Sequence, residues 1–255
     1  MSGGRIGYRG TYDINGVWPL GEVVDRDRLG LWRADPYWAN VVALLHMDGA
    51  DAVDGFIDER GHQFAAVGPA QIDTAQSKFS GASGLFNGAS SYLKSPDSND
   101  WDFGTGDFTI EFFIRFNALP SSAACSLVST YESSTSGWLI QFRNDSPGAR
   151  LTFGSSGDSP LDGFTWSPST ATWYHVAMTR ASGTVKAFVD GTQVGSDVTN
   201  TENISGASGA LIVGALNISG VVQYFNGWLD ELRITKGVAR YTTTFTAPTV
   251  PFPNF

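Results

Sequence analysis

Apolar and polar residues alternate most cleanly over DFTIEFFIRF (107–116). Phe108, Ile110, Phe112, Ile114 and Phe116 fall on one side, and Thr109, Glu111, Phe113 and Arg115 on the other. A period of two predicts a half-buried antiparallel strand, and Phe113 on the polar side predicts that this face also carries a partial cover. WYHVAMTR (173–180) and TVKAFVDGTQV (184–194) flank Ala181-Ser182-Gly183, and a second turn follows at Asp190-Gly191. Asp-Gly between β-prone runs predicts a hairpin, because both central residues of a type I′ turn need positive φ. VVALLHMDG (41–49) reads as a fully apolar first strand. QFAAVG (63–68), GASGLF (81–86), SSYLKS (90–95), CSLVSTY (125–131), GWLIQFR (137–143), ARLTFG (149–154), ALIVGA (210–215) and QYFNGWLDELRIT (223–235) complete the strand set. Within the last, strict alternation puts Trp228, Asp230, Leu232 and Ile234 on one face and Glu231 on the other, towards solvent. Short strands separated by Gly, Ser, Asp and Pro predict an all-β, two-sheet antiparallel sandwich of jelly-roll type. TAPTVPFPNF (246–255) contains three prolines, cannot be a central strand, and is expected to lie extended over the surface.

Residues 1–38 differ from the rest. Gly, Arg and scattered aromatics predict an extended N-terminal arm with at most one short helix, which cannot stand alone. ADPYW (34–38) reads as a linker turning at Pro36, and residues 39–255 as the sandwich with its proline-rich tail. The arm has no core of its own. Its Tyr8, Tyr12, Trp18, Arg26, Arg28 and Trp32 are residue types enriched at interface hot spots, and they are candidate anchors to a larger assembly. The alternative is that the arm folds back on its own sandwich.

At 255 residues the chain holds one large β domain with an extension. Thirty Gly, eight Trp and seventeen Phe suit that class. The formal charge is −9, all of it beyond residue 38, and there are only four Lys. Such a surface is a poor match for nucleic acid. No apolar stretch approaches the ~20 residues of a membrane span. The first residues lack an apolar leader core, so no Sec-type signal is expected. A single cysteine, Cys125, excludes an internal disulfide and reads as a small buried hydrophobe.

LLHMDG (44–49), AQSKFSGASGLFNGASSYL (75–93), DFTIEFFIRF and the closing pair WYHVAMTR…VDGTQV and GWLDELRITKGVARY (227–241) resemble, in order and spacing, laminin-G-like modules of the concanavalin A type found on bacteriophage virion proteins and some bacterial surface proteins. The upstream GVWPLGEVVDRDRLGLW is similar to segments that precede such modules in phage structural proteins. The resemblance implies a binding and display function. It also implies a structural calcium ion where the first and last strands meet, with Asp48, Asp58 and Asp230 as ligands. The alternative for Asp230 is that it accepts backbone N–H bonds from a neighbouring loop and needs no ion.

Glucanases of this fold carry closely spaced acids along one strand, and no such string occurs here. Glu111 stands alone among Phe and Ile. DSPLDGFTW places Gly163 and Trp166 as a sialidase-type Asp box would, but Leu161 holds the Asp position. The three histidines, His46, His62 and His175, have no visible nucleophile and read as structural; zinc is not expected. For a sugar platform, Trp101 with Asn99 and Asp102 is the first choice, ahead of Trp138 and Trp166, against the plainer reading of all three as core or edge aromatics. The expected function is a non-enzymatic virion protein, a capsid decoration, fibre or tail component. It would be assembled in the host cytoplasm, extracellular after release, and homo-oligomeric, for example a trimer. Its partners would be other virion proteins and a host-surface glycan. The alternatives are a carbohydrate-binding module or carbohydrate-active enzyme, and a ligand-free stabiliser of the particle.

Overall fold

The computed structural model describes residues 34–79, 81–121, 124–130, 137–155, 161–204, 209–218 and 221–255. The arm residues Tyr8, Tyr12, Trp18, Arg26, Arg28 and Trp32 lie outside them, as does the short helix expected there.

Among the described residues eighteen strands follow one another: Val41–Leu45 (β1), Gly55–Ile57 (β2), Gln63–Val67 (β3), Gln71–Asp73 (β4), Ser83–Asn87 (β5), Tyr92–Ser95 (β6), Phe108–Phe116 (β7), Ala124–Ser129 (β8), Trp138–Asp145 (β9), Gly148–Ser155 (β10), Leu161–Thr165 (β11), Trp173–Ala181 (β12), Thr184–Val189 (β13), Thr192–Thr199 (β14), Leu211–Val213 (β15), Asn217–Ile218 (β16), Val221–Val222 (β17) and Asn226–Lys236 (β18). One sheet runs β14-β13-β12-β7-β18-β5-β4, with β1 also on β18; the second runs β11-β10-β9-β8-β15-β6-β3-β2. All pairings are antiparallel, and the fold is the concanavalin A-like jelly-roll sandwich. The runs read from alternation are all present. β2 and β4, three residues each, and β11, inside the string read as a loop, were not legible, because runs that short carry no period.

The five inward residues of β7 are fully buried between the sheets with Phe142, Phe153, Leu229, Leu232 and Ile234. Each such side chain contributes ~1.5–3 kcal/mol by leaving water. The second face of β7 is covered too. Phe113 packs with Val41, Leu44 and Phe252, and with Trp38, Phe79 and Trp173. The proline-rich tail therefore lies without strand structure over the outside of the first sheet and buries Phe252 there. Asp35 is also part of this cover. Its side chain bonds to Arg233 and Arg240, so the packed unit begins inside the segment read as a linker.

β18 departs from strict alternation. Against β7, Asp230 opposes Phe113 and Arg233 opposes Glu111, so β18 has one residue too many at this point. Glu231 takes φ 53° and forms the bulge. Trp228, Asp230 and Arg233 thus face outwards, while Leu229, Leu232 and Ile234 face the core. The shared face expected for Trp228, Asp230, Leu232 and Ile234 is split at this residue, and Glu231 is buried rather than solvent-facing. The bulge coincides with a change of neighbour: the free edge of β18 pairs with β5 over 226–229 and with β1 over 232–235.

Both predicted hairpins form with two-residue turns. Ser182 and Gly183 have φ of 48° and 77°, and Asp190 and Gly191 have 48° and 79°. Gly191 is constrained twice, because a Cβ there would stand 1.9 Å from the carbonyl oxygen of Phe245 in the covering tail. Gly191→Ala is expected to lower unfolding free energy by more than ~1 kcal/mol, read from urea titration; an unchanged midpoint would mean the tail does not sit on this turn.

Candidate functional site

Candidate chemistry in this sandwich starts from its strand carboxylates. Glu111, fully buried in the middle of β7, needs cations because a bare carboxylate there is prohibitively costly. Arg233, directly opposite on β18, donates to its Oε1 from Nε at 2.9 Å and Nη2 at 2.8 Å. Tyr241 in the tail donates its hydroxyl to Oε2 at 2.9 Å, and His175 Nε2 on β12 lies 3.1 Å from the same oxygen. Arg233 in turn reaches Asp35 at 2.9 Å, and Arg240 holds both Asp35 oxygens at 2.9 and 2.7 Å. Burial would raise the Glu111 carboxyl, but the Arg233 charge and the His175 bond outweigh it and bring it down to about 2. His175 is fully buried, its backbone N–H on Asp190 and its ring on Glu111.

Asp230 sits at the bulge, where the edge of β18 passes from β5 to β1. Its Oδ2 accepts the backbone N–H groups of Lys78 and Phe79 at 2.8 and 3.2 Å. Its Oδ1 is buried with no hydrogen-bond partner among the described residues. Burial first, then the charges of Glu231 and Asp48, push its carboxyl up to about 8. Glu231 beside it pairs with His46 Nδ1 at 2.7 Å and accepts the backbone N–H of Phe252 at 2.7 Å.

The three expected calcium ligands do not converge: among the described residues no three acidic, histidine or cysteine side chains gather as a metal site. Asp58 is the one placed wrongly. It is buried, with Oδ1 accepting the Leu44 N–H at 2.7 Å and Oδ2 taken by the His62 N–H and ring at 3.0 and 2.8 Å. Both its oxygens are engaged in tying its loop to β1 and to His62. Asp48 and Asp230 remain near each other, and the unpartnered Oδ1 of Asp230 is the atom there that would fit a cation.

The expected sugar platform is corrected in the same way. Trp101 is fully buried, its Nε1 donates to the Pro96 carbonyl, and its own carbonyl accepts from Trp138 Nε1. Trp138 and Trp166 are also buried. Asn99 uses its carbonyl to hold Lys236, and Asp102 is half-buried. An indole flanked by Asn and Asp reads alike as a lid on the core and as a sugar platform; burial separates them. Cys125 is buried and its thiol is pushed up to about 12, which removes it as a nucleophile.

Sequence reasoning missed a cavity of about 330 Å³ at one end of the sandwich. Leu119, Pro120 and Ser121 line it from the loop after β7. Tyr224 and Asn226 line it from the approach to β18, with Cys125 of β8. Its residues come from three separated segments with no shared motif, so no string announces it.

Compared with known proteins, residues 87–240, more than half of the chain, match the laminin-G profile of the concanavalin A-like lectin/glucanases superfamily. The chain belongs to the concanavalin A-like lectin/glucanases superfamily. No curated protein matches its sequence. Among solved structures, this lectin-like sandwich resembles domain 4 of AbnA, an extracellular arabinanase from Geobacillus stearothermophilus in complex with arabinotriose, at TM-score 0.59 and 19% identity, covering 78% of this chain and 93% of that one. The binding domain of Paraclostridial Mosquitocidal Protein 1 matches at TM-score 0.61 and 15% identity over 80% and 50% of the two chains. Botulinum neurotoxin type C, which depends upon interaction with two ganglioside molecules to get into cells, matches at TM-score 0.57 and 13% identity over 80% and 49%. The chain thus spans about half the length of the two toxin chains, and identities this low speak for the lectin-like fold alone.

Glu111→Gln in this lectin-like sandwich leaves two buried arginines, Arg233 and Arg240, to share the single carboxylate of Asp35, and is expected to cost ~3–5 kcal/mol in chemical denaturation. The carboxyl of Glu111 is held below its ordinary value near 4.5, so its stabilisation is present above that pH and is lost as pH falls towards 2. A melting profile against pH should show this acid limb in the wild type and a weaker one in Glu111→Gln.

Proposed function

We propose that the chain is a non-enzymatic, glycan-binding adhesion module of a bacteriophage virion, part of a capsid decoration, fibre or tail component and anchored through residues 1–38. The observation that carries the non-catalytic reading is the state of the strand carboxylates. Glycoside hydrolysis asks for two carboxyl groups ~5–9.5 Å apart, flanking a bond the substrate can reach. Glu111 is instead sealed beneath the tail and Asp230 is buried under the 78–79 backbone.

Glycan binding is supported by the superfamily, and by the arabinotriose and gangliosides recorded for two of the structural neighbours. The virion setting is supported by the four ordered strings and the upstream segment that resemble phage modules. On a symmetric particle, repeated weak contacts gain avidity without any single one being tight, which suits a homo-oligomer such as a trimer. Assembly would take place in the host cytoplasm, and the particle would be extracellular after release. The arabinanase neighbour favours a second reading, an accessory carbohydrate-binding module of a bacterial enzyme.

The full chain is expected to bind members of a printed oligosaccharide panel and to release no reducing sugar from them. Hydrolysis that is lost in Glu111→Gln or Asp230→Asn without unfolding would replace this reading by an enzyme. Deleting residues 1–33, which leaves Asp35 and its arginine partners in place, is expected to abolish association with virion proteins while leaving the sandwich folded; loss of the fold instead would make the arm intramolecular packing. A calcium ion held by Asp48 and Asp230 belongs to the same proposal, since it would give Oδ1 of Asp230 a partner. Calcium should then raise the melting temperature of the wild type and leave Asp230→Asn unmoved, and a midpoint indifferent to calcium and chelator would remove the ion from the account.

A further inference from the structure

The cavity beside Asn226 has the make-up of a sugar site, and its position is fixed by the sheets. Asn226 opens β18, its Oδ1 accepts from Asn117 Nδ2 at 3.0 Å, and its carbonyl accepts the Asn117 N–H at 3.0 Å. Gly88 closes in on it from the next loop; a Cβ there would stand 2.6 Å from the Asn226 side chain. On the other side, the Phe225 N–H bonds to Gly214 and the Gln223 carbonyl accepts from Ser126 of β8, which holds Tyr224 between two fixed neighbours. These bonds fix the Asn226 and Tyr224 side of the cavity before any ligand arrives, and a wall already in place keeps the ordering cost of binding low.

The lining combines two kinds of surface. Leu119, Pro120 and the ring of Tyr224 are apolar, as the C–H face of a pyranose or furanose requires. The Asn226 amide, the Ser121 hydroxyl and the Tyr224 hydroxyl supply hydrogen-bonding groups suited to sugar hydroxyls. Neither hydroxyl, nor Nδ2 of Asn226, makes a hydrogen bond among the described residues. Among the described residues, no Asp, Glu, Lys, Arg or His lines the cavity. An anionic group such as the carboxylate of sialic acid or a phosphate would enter without a counter-charge and lose its hydration. The volume of about 330 Å³ lies at the small end of ligand pockets and holds one or two sugar rings, not an extended chain.

We infer that this cavity is the glycan site of the chain and that it takes a neutral pentose or hexose unit, with Tyr224 and Leu119 against the ring face and Asn226 and Ser121 on its hydroxyls. The inference rests on the glycan-binding reading above, so its test has to separate the two. The probes are arabinotriose, lactose and maltotriose as neutral sugars and sialyllactose as the anionic one, titrated calorimetrically against the full chain.

The expected result is binding of at least one neutral probe, with sialyllactose bound no better than the neutral sugar it contains. Leu119→Trp, which fills the cavity, should weaken that binding at least about tenfold with an unchanged melting temperature. Tyr224→Phe, which removes only a hydroxyl, should weaken it severalfold. Should Leu119→Trp fail to fold, Ser121→Trp at the exposed rim makes the same test. Neutral-sugar binding that survives both the filled cavity and Tyr224→Phe would overturn the site and leave glycan binding standing. A clear preference for sialyllactose would overturn the neutral specificity. A blank titration for every probe, repeated on a wider printed panel, would overturn the site and the glycan-binding reading together.

Discussion

A charged group in the middle of a sheet dictates what must lie over it. Glu111 sits on the central strand of the first sheet with no access to water, and every element above it answers that fact. Arg233 comes from the neighbouring strand, His175 from the strand on the other side, and Tyr241 from the tail. Arg240 and Asp35 complete the arrangement, two cations against two anions. Removing one member leaves the others uncompensated in a low-dielectric layer, which costs far more than the pair contributes when whole. The ion network therefore acts as a specificity device. It fixes where the tail and the residues around Asp35 settle, and the apolar cluster around Phe113 and Phe252 fills the space beside it.

The same covering layer explains the division of labour in the molecule. Carboxylates that a glycosidase would expose are used here as internal fasteners. Asp58 ties a loop to the first strand, Glu231 holds the tail at Phe252, and Asp230 receives the backbone of residues 78 and 79. Trp101, Trp138 and Trp166 are likewise inside. The recess proposed above for recognition is lined, among the described residues, by uncharged side chains. Such a division is what the binding function proposed above requires.

The fold was largely legible because its determinants are periodic. Alternation through residues 108–116 named both faces of β7 correctly, Phe113 announced the second cover, and Asp190-Gly191 marked a hairpin that forms as a two-residue turn. The pairing of the first and last strands followed from the resemblance and is present. The site was much less legible, for three physical reasons. Alternation assumes a regular ladder, and one residue with positive φ at Glu231 breaks it. Exposure cannot be read from composition, so Trp101 among Asn and Asp looked like a surface ring. Asp48, Asp58 and Asp230 are related by motif position, and only the loop path decides whether they meet; Asp58 is diverted by the Leu44 and His62 backbone.

The bulge has a consequence for how the last strand can vary. Because Glu231 is the supernumerary residue, excising it would leave Leu229, Leu232 and Ile234 on the inner face and Trp228, Asp230 and Arg233 on the outer one. The ladder would simply straighten. The losses would be the His46 contact and the clasp on the Phe252 backbone. A one-residue deletion in the heart of a sheet, ordinarily ruinous, is here compatible with the inward and outward faces of β18, and the tail would keep its other ties at Tyr241 and Arg240.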